Sequence, residues 1–343
     1  MRTRRLLLAV CLTALSSPTW AAWPDRPITM VVPAVAGGTT DIAARVLAEK
    51  MGKDLGTSIV VENKGGGGGG IGTAHDARAK PDGYTVLMGN IGPVAINFSL
   101  YKQLSYKESD LRGITNVISV PNILVVHADS PVQNVRDLVS LAKTRRLNVS
   151  TSGIGQSPHM SSEMFQQKAG IDVTLVPFPG AAPAVTALLG QQVDFMIDNL
   201  PSSMPHIKSG KFRALAITSS ARSAQLPDVP TMAEAGVPMQ VTAWFGLLAP
   251  AGTPDAVVER LQQSARKVMQ LPEVRQRFAE LGGVGLVIER AGDEHVEPGV
   301  ARLAGGPARA ARSGRGDCAQ DEGARPRSAM TWAFFEISSW RHP

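Results

Sequence analysis

The chain has 343 residues, 43% of them hydrophobic but only 5% aromatic, so it can bury an aliphatic core and is too apolar to be a disordered chain. Its formal net charge is +6; residues 1–21 contribute three arginines and no acid, leaving +3 beyond them, which is no footprint for nucleic acid. Of the two cysteines, Cys11 falls in the N-terminal apolar stretch and only Cys318 lies beyond it, so the mature chain has no intramolecular disulfide.

The first residues, "MRTRRLLLAVCLTALSSPTWAAWPDRP", predict an export signal. Arg2, Arg4 and Arg5 form a basic start, and Leu6 to Leu15 a short apolar core. Cleavage after Ala21 places small residues, Ala21 and Thr19, at the peptidase positions. The core is about half the roughly 20 residues that a membrane span needs, and Cys11 follows Val10, which argues against a lipoprotein.

Next, "PITMVVPAV" predicts a buried strand ending at Pro33. Thr39, Thr40 and Asp41 open a helix that runs to Gly56. "SIVVEN" is a second strand, followed by six glycines, Gly65 to Gly70. Such a run can cradle a phosphate, link domains or turn a corner, but no Gly-Lys-Ser/Thr follows to complete a phosphate loop. A short helix over 72–80, a turn at "PDG" and the strand "YTVLMGN" (84–90) come next.

The alternation then repeats: strand "NILVVHA" (122–128), helix "SPVQNVRDLVSLAKT", strand "LNVSTSG", helix "SPHMSSEMFQQKAG", strand "VTLVPF", helix "GAAPAVTALLGQQ". Strand "VDFMIDN", short helix "MPHIKSGK", strand "FRALAITS", strand "AWFGLLAPAGTP" and helix "PDAVVERLQQSARKVMQL" complete it. The order predicts two doubly wound α/β lobes with crossings near 120–128 and 241–249. Their expected bounds are 22–121 with 247–283 for lobe 1 and 122–246 for lobe 2. Residues 284–343 contain eight Arg and no Lys, against 13 Arg and 11 Lys over 22–283, and lack any sustained period. That tail reads as out-of-frame translation of a GC-rich gene, or else as a disordered extension.

In such sheets ligands bind at the carboxyl ends of strands. Three loops qualify: 33–41, with Gly37, Gly38, Thr39 and Asp41; 150–159, with Ser152, Gly153, Gly155, Ser157 and His159; and 198–203, beginning at Asp198. Gly/Ser/Thr loops feeding helix N-termini make an anion clamp that needs no charged side chain. The same residues also suit plain helix capping, with Asp41 a capping acid, His159 a packed histidine and Asp198 a structural acceptor. Catalytic signatures such as G-x-S-x-G, H-E-x-x-H and C-x-x-C are absent, and the six histidines lack metal-ligand spacing.

These loops, in order with "WPDRPITMVVP", "AGGTTDIAARVLAEKM", "ARAKPDGYTVLMGN", "VPFPGAAPAVTALLGQQVDFMIDN" and "RALAITSSARSAQLPDVPTMAEAG", closely resemble the tripartite tricarboxylate transporter receptors (the Bug or TctC-type family) from about Trp23 to Gly283. The resemblance implies a periplasmic binding protein of the type 2 fold, two lobes closing on a small organic acid. It implies a di- or tricarboxylate, acidic amino acid or aromatic acid as ligand, passed by a monomer to a membrane permease of large and small subunits. No cofactor, metal or catalysis is expected. A ligand-presenting sensor component and an exported α/β enzyme remain the alternatives. By analogy, Gly37, Gly38, Thr39, Asp41, Ser152, Gly153, Gly155, Ser157 and His159 hold the carboxylate, while Asn90, Phe178 and Asp198 line the cleft. The family has a Pro/Gly/Ala-rich turn where this chain has its glycine run, so the run is expected to be a strand-to-helix turn. Ala34 and Ala36 depart from the family's usual aromatic and proline, and the tail over 284–343 departs from its amphipathic ending.

Overall fold

A computed structural model describes residues 23–285. The expected leader over 1–21 and the tail beyond Gly285 lie outside the described residues.

Three parallel strands, β1 (Ile28–Val32), β2 (Ile59–Asn63) and β3 (Thr85–Asn90), open the fold. Helix α1 (Thr39–Leu55) joins β1 to β2 and stops at Gly56, whose φ of 72° lets its N–H reach back to the Gly52 carbonyl. Helix α2 (Gly70–Ala77) joins β2 to β3. After β3, residues 92–96 form a π-helical turn that runs into α3 (Asn97–Leu100), a segment with no element in the sequence reading.

Strand β4 (Leu111–His127) is much longer than the strand expected at 122–128. Arg112, Gly113, Thr115 and Asn116 interrupt its apolar pattern, and two register shifts fall between Gly113 and Ile118. Along 111–121 it pairs antiparallel with β9 (Thr242–Pro250); from Asn122 onward it pairs with β7 (Phe195–Asn199) and β8 (Phe212–Ile217). One strand thus passes from the first lobe to the second, changing partners at Pro121 and Asn122. The return crossing precedes β9: the Val241 N–H still bonds the Thr218 carbonyl of the second lobe, whereas β9 itself pairs only with β3 and β4.

The second lobe adds α4 (Val135–Thr144), β5 (Leu147–Thr151), α5 (Ser157–Ala169), β6 (Val173–Pro177), α6 (Ala181–Leu189) and α7 (Leu200–Lys208). The chain ends its described part with α8 (Asp255–Met269), α9 (Pro272–Glu280) and a two-residue β10 (Val284–Gly285) on β4. The sheet order is β2-β1-β3-β9-β4-β7-β5-β6.

Side-chain parity shows how the sheet is covered. Met30, Val32, Val86 and Met88 pack on one face with α1 and α8, while their neighbours Val31 and Leu87 enter a cluster with Ala74 of α2 and Tyr106 on the other. In the second lobe Leu124 and Val126 join Phe165 of α5, and Ile123 and Val125 join Leu188 of α6 and Met204 of α7. Both faces of each half are therefore buried, the condition for doubly wound α/β lobes. No helix among the described residues is long and apolar enough to cross a membrane.

Candidate ligand-binding cleft

The three loops named from sequence converge, with two more over 66–69 and 177–181, on a cleft of about 290 Å³ between the lobes. Gly38 and Thr39 border it from the first lobe; Ser152, Gly153 and Phe178 border it from the second. Gly180, Ala181 and Asn199 also belong to the second-lobe wall. Every one of its lining residues is uncharged.

What replaces charge is backbone. Helices α1, α5, α6 and α7 start at this cleft, with Gly38, Gln156, Gly180 and Asn199 as their N-cap residues. None of the four is capped by its own side chain. A helix start left uncapped offers N–H donors and about half a positive charge. The α6 start, from "PFPGAAP", was not named as a clamp from sequence. Its signal was there, because Gly180 precedes a helix as Gly38 does.

The remaining named residues stand behind the walls. Asp41 is buried beneath the first loop, where its carboxylate accepts from the Gly37 N–H (2.9 Å), Arg45 Nε (3.0 Å) and Asn63 Nδ2 (3.0 Å). Burial pushes its pKa up, but the bonds from Arg45, Gly37 and Asn63 outweigh this and hold the group below the ordinary carboxylate range. Asn90 accepts from the Gly92 N–H and donates to Thr40 Oγ1 (3.2 Å), bracing the first turn of α1. Ser157 bonds Asn199 Oδ1 at 2.9 Å and so ties the α5 start to the α7 cap.

Asp198 is fully buried at the end of β7 and accepts from Ser202 Oγ (2.5 Å) and Ser203 Oγ (2.8 Å). Desolvation raises its pKa to about 6 against those hydroxyl bonds. Ser202 in turn meets Thr39 Oγ1 of the first lobe at 3.5 Å. His159 faces along α5 to Glu163 (3.8 Å) and does not border the cleft; burial lowers its pKa, opposed by Glu163. Gly155 packs on Asn97, where an added Cβ would stand 2.1 Å from Oδ1.

The glycine run is the larger surprise. It does turn from β2 into α2, and Gly66 to Gly69 have φ of 107°, 56°, 59° and 88°, the left-handed region glycine favours. Those four glycines also border the cleft, together with Tyr101, Ile154 and Gln156, none of them named from sequence.

A family model described as "Tripartite tricarboxylate transporter family receptor" matches residues 43–292. BugT of Bordetella pertussis is 37% identical over 297 residues, covering 84% of this chain and 91% of BugT. Two solved structures from Rhodopseudomonas palustris are similar to this one. MatC with bound malate is 35% identical with a TM-score of 0.73, covering 76% of this chain and 90% of MatC. Rpa4515 with adipate is 36% identical with a TM-score of 0.76, covering 82% of this chain and 96% of its own. Fold and sequence agree, and the chain belongs to the TctC (Bug) family of tripartite tricarboxylate transporter receptors.

Proposed function

We propose that this protein captures a small organic dicarboxylate in the interlobe cleft and delivers it to a tripartite tricarboxylate-type membrane permease. The observation that carries the reading is the set of four uncapped helix starts around a cleft without charged side chains. The positive ends of these fixed dipoles favour an anionic ligand. Relatives holding malate and adipate support the same ligand class. Gly38, Thr39, Ser152, Gly153 and Phe178 touch the ligand in this reading, Gly37, Asp41, Asn90, Gly155, Ser157 and Asp198 hold the loops that do, and His159 stays outside the cleft on α5. The lobes, 22–121 with 247–283 and 122–246, close about Pro121/Asn122 and Val241. The receptor is an exported monomer of the periplasm, works without a cofactor and leaves its ligand unchanged.

Calorimetry with malate, adipate, citrate, glutamate and benzoate tests this directly. The expected result is one-to-one binding, strongest for dicarboxylates, with the ligand recovered intact. Chemical turnover of any of them would point to an enzyme instead, and no binding to any would sink the carboxylate reading.

A further inference from the structure

The glycine run meets the second lobe directly. The Gly68 carbonyl accepts from Gln156 Nε2 of the second lobe at 2.8 Å and from Asn97 Nδ2 of its own lobe at 3.1 Å. Beside it, Tyr101 Oη donates to the Ile154 carbonyl at 3.2 Å. The approach is so close that a Cβ on Gly68 would stand 2.2 Å from the Ile154 carbonyl oxygen, and one on Gly92 2.9 Å from the Gln156 amide. Backbone thus meets backbone across the lobes at a point where no side chain fits. Both bonds join groups at the rim of the cleft, so neither can form while the lobes stand apart.

We propose that Gly68, Gln156 and Tyr101 form a latch that sets how long the receptor holds its ligand, with Gln156 as the positioning residue on the second lobe. The proposal rests on the two-lobed receptor reading but not on which acid is bound. Because the latch joins only protein atoms, it gives the free receptor a closed population of its own. Each ligand then inherits a slower release from the same bonds, since the latch must break before the cleft opens. The run's glycines are therefore specific in their places. Gly67 and Gly68 share nearly the same left-handed φ, 56° and 59°, yet a Cβ on Gly67 would meet only Ile71 of its own lobe, at 3.8 Å.

That matched pair supplies the experiment. Spin labels at Glu49→Cys on α1 and Lys143→Cys on α4, with Cys11 and Cys318 replaced by serine, report the interlobe distance by pulsed electron resonance. Without ligand, the labelled protein is expected to show a short-distance population that Gly68→Ala removes and Gly67→Ala keeps, while both substitutions shift the melting temperature alike. With saturating malate or adipate, Gly68→Ala and Gln156→Ala are expected to release ligand at least tenfold faster in stopped flow. If Gly68→Ala closes as fully as Gly67→Ala, or if the parent never closes under any condition, the latch is wrong. A short population that Gly68→Ala abolishes, in a protein that neither acid closes further and that binds neither, would keep the latch and refute the dicarboxylate reading.

Discussion

The two walls of the cleft hold their helix starts in different ways. On the first lobe an ionised carboxylate does it: Asp41 gathers the Gly37 N–H, Arg45 and Asn63 under the loop. On the second lobe the corresponding carboxyl, Asp198, has only the hydroxyls of Ser202 and Ser203 and the backbone for partners, and no cation. The first wall is therefore fixed by charge and blind to mild acid. The second is fixed by neutral hydroxyl bonds around a group that changes charge near pH 6.

The strongest way to break both walls is to wedge them apart. Gly38 has φ of −86°, so its backbone tolerates any residue, but an added Cβ would lie 3.3 Å from Ala181 Cβ at the start of α6. The methyls of Gly38→Val would then fill the space between two helix starts. Losing one or two N–H bonds to an anion, at about 3 kcal/mol, lowers affinity about 100-fold. The melting temperature of the free protein should barely move. Unchanged affinity by calorimetry would remove the first loop from the site.

A third carboxyl calibrates the comparison because it has neither kind of support. Asp76 of α2 is fully buried, both its oxygens lack hydrogen-bond partners, and desolvation pushes its pKa up to about 8. The folded chain therefore binds a proton that the unfolded chain releases near pH 4. Stability should fall as pH rises from about 4 to about 8, by up to about 1.4 kcal/mol per pH unit, and level off above. Asp76→Ala should flatten that slope and stabilise the protein at pH 8. Denaturant melts at several pH values decide it, and parallel slopes for parent and variant would mean that Asp76 finds a partner.

Charge also explains what could be read beforehand. Strands such as "ITMVV" and helix stops such as Gly56 announce themselves locally, and so the α/β alternation was legible. The first half of β4 was not, since Arg112, Gly113, Thr115 and Asn116 hide a strand that the partner β9 stabilises from 130 residues away. In the cleft, the Gly and Thr of the first loop carry their own signal. Gln156, Tyr101 and the inward contact of Gly68 do not, because their role exists only once two lobes meet. Asp41 was readable as an acid at a helix start; that it faces inward, under the loop, follows from Arg45 one turn later and Asn63 at the end of β2.

Removing the first wall's charge should matter less than wedging the cleft. Asp41→Ala leaves the Gly37 N–H without its acceptor and costs Asn63 Nδ2 one of two, the Ala34 carbonyl remaining at 3.1 Å, while Arg45, about half exposed, keeps only Asn63 Oδ1. A loss of about 2 kcal/mol is expected, mostly from the lost hydrogen bonds rather than the screened ion pair. Because its folded pKa is depressed, the stability that Asp41 supplies is present above about pH 4 and vanishes only as pH falls through the folded value. Between pH 5 and 8 the destabilisation should be constant. A destabilisation that varied across that range, in urea melts of parent and variant, would contradict the ionised network.

The second wall makes the subtlest prediction, and its sign is opposite. Asp198 titrates at about 6 in the folded protein, above its unfolded value, so its proton is gained as pH falls through 6. It precedes Asn199, which borders the cleft, and its bonded Ser202 reaches Thr39 on the other wall. When ionised it places a negative charge behind the site of an anion. At an effective dielectric of about 20 and a separation of about 8 Å, that repulsion is on the order of 2 kcal/mol before screening, and mobile ions and protein relaxation cut it to a several-fold effect. Dicarboxylate affinity should therefore strengthen several-fold between pH 7.5 and pH 5.5. Asp198→Asn keeps an acceptor for Ser202 and Ser203 but has no charge to lose, so its affinity should stay flat over that window. Calorimetry at three pH values compares the two. Parallel profiles would assign the pH dependence to the ligand's own carboxyls and leave Asp198 a purely structural acceptor.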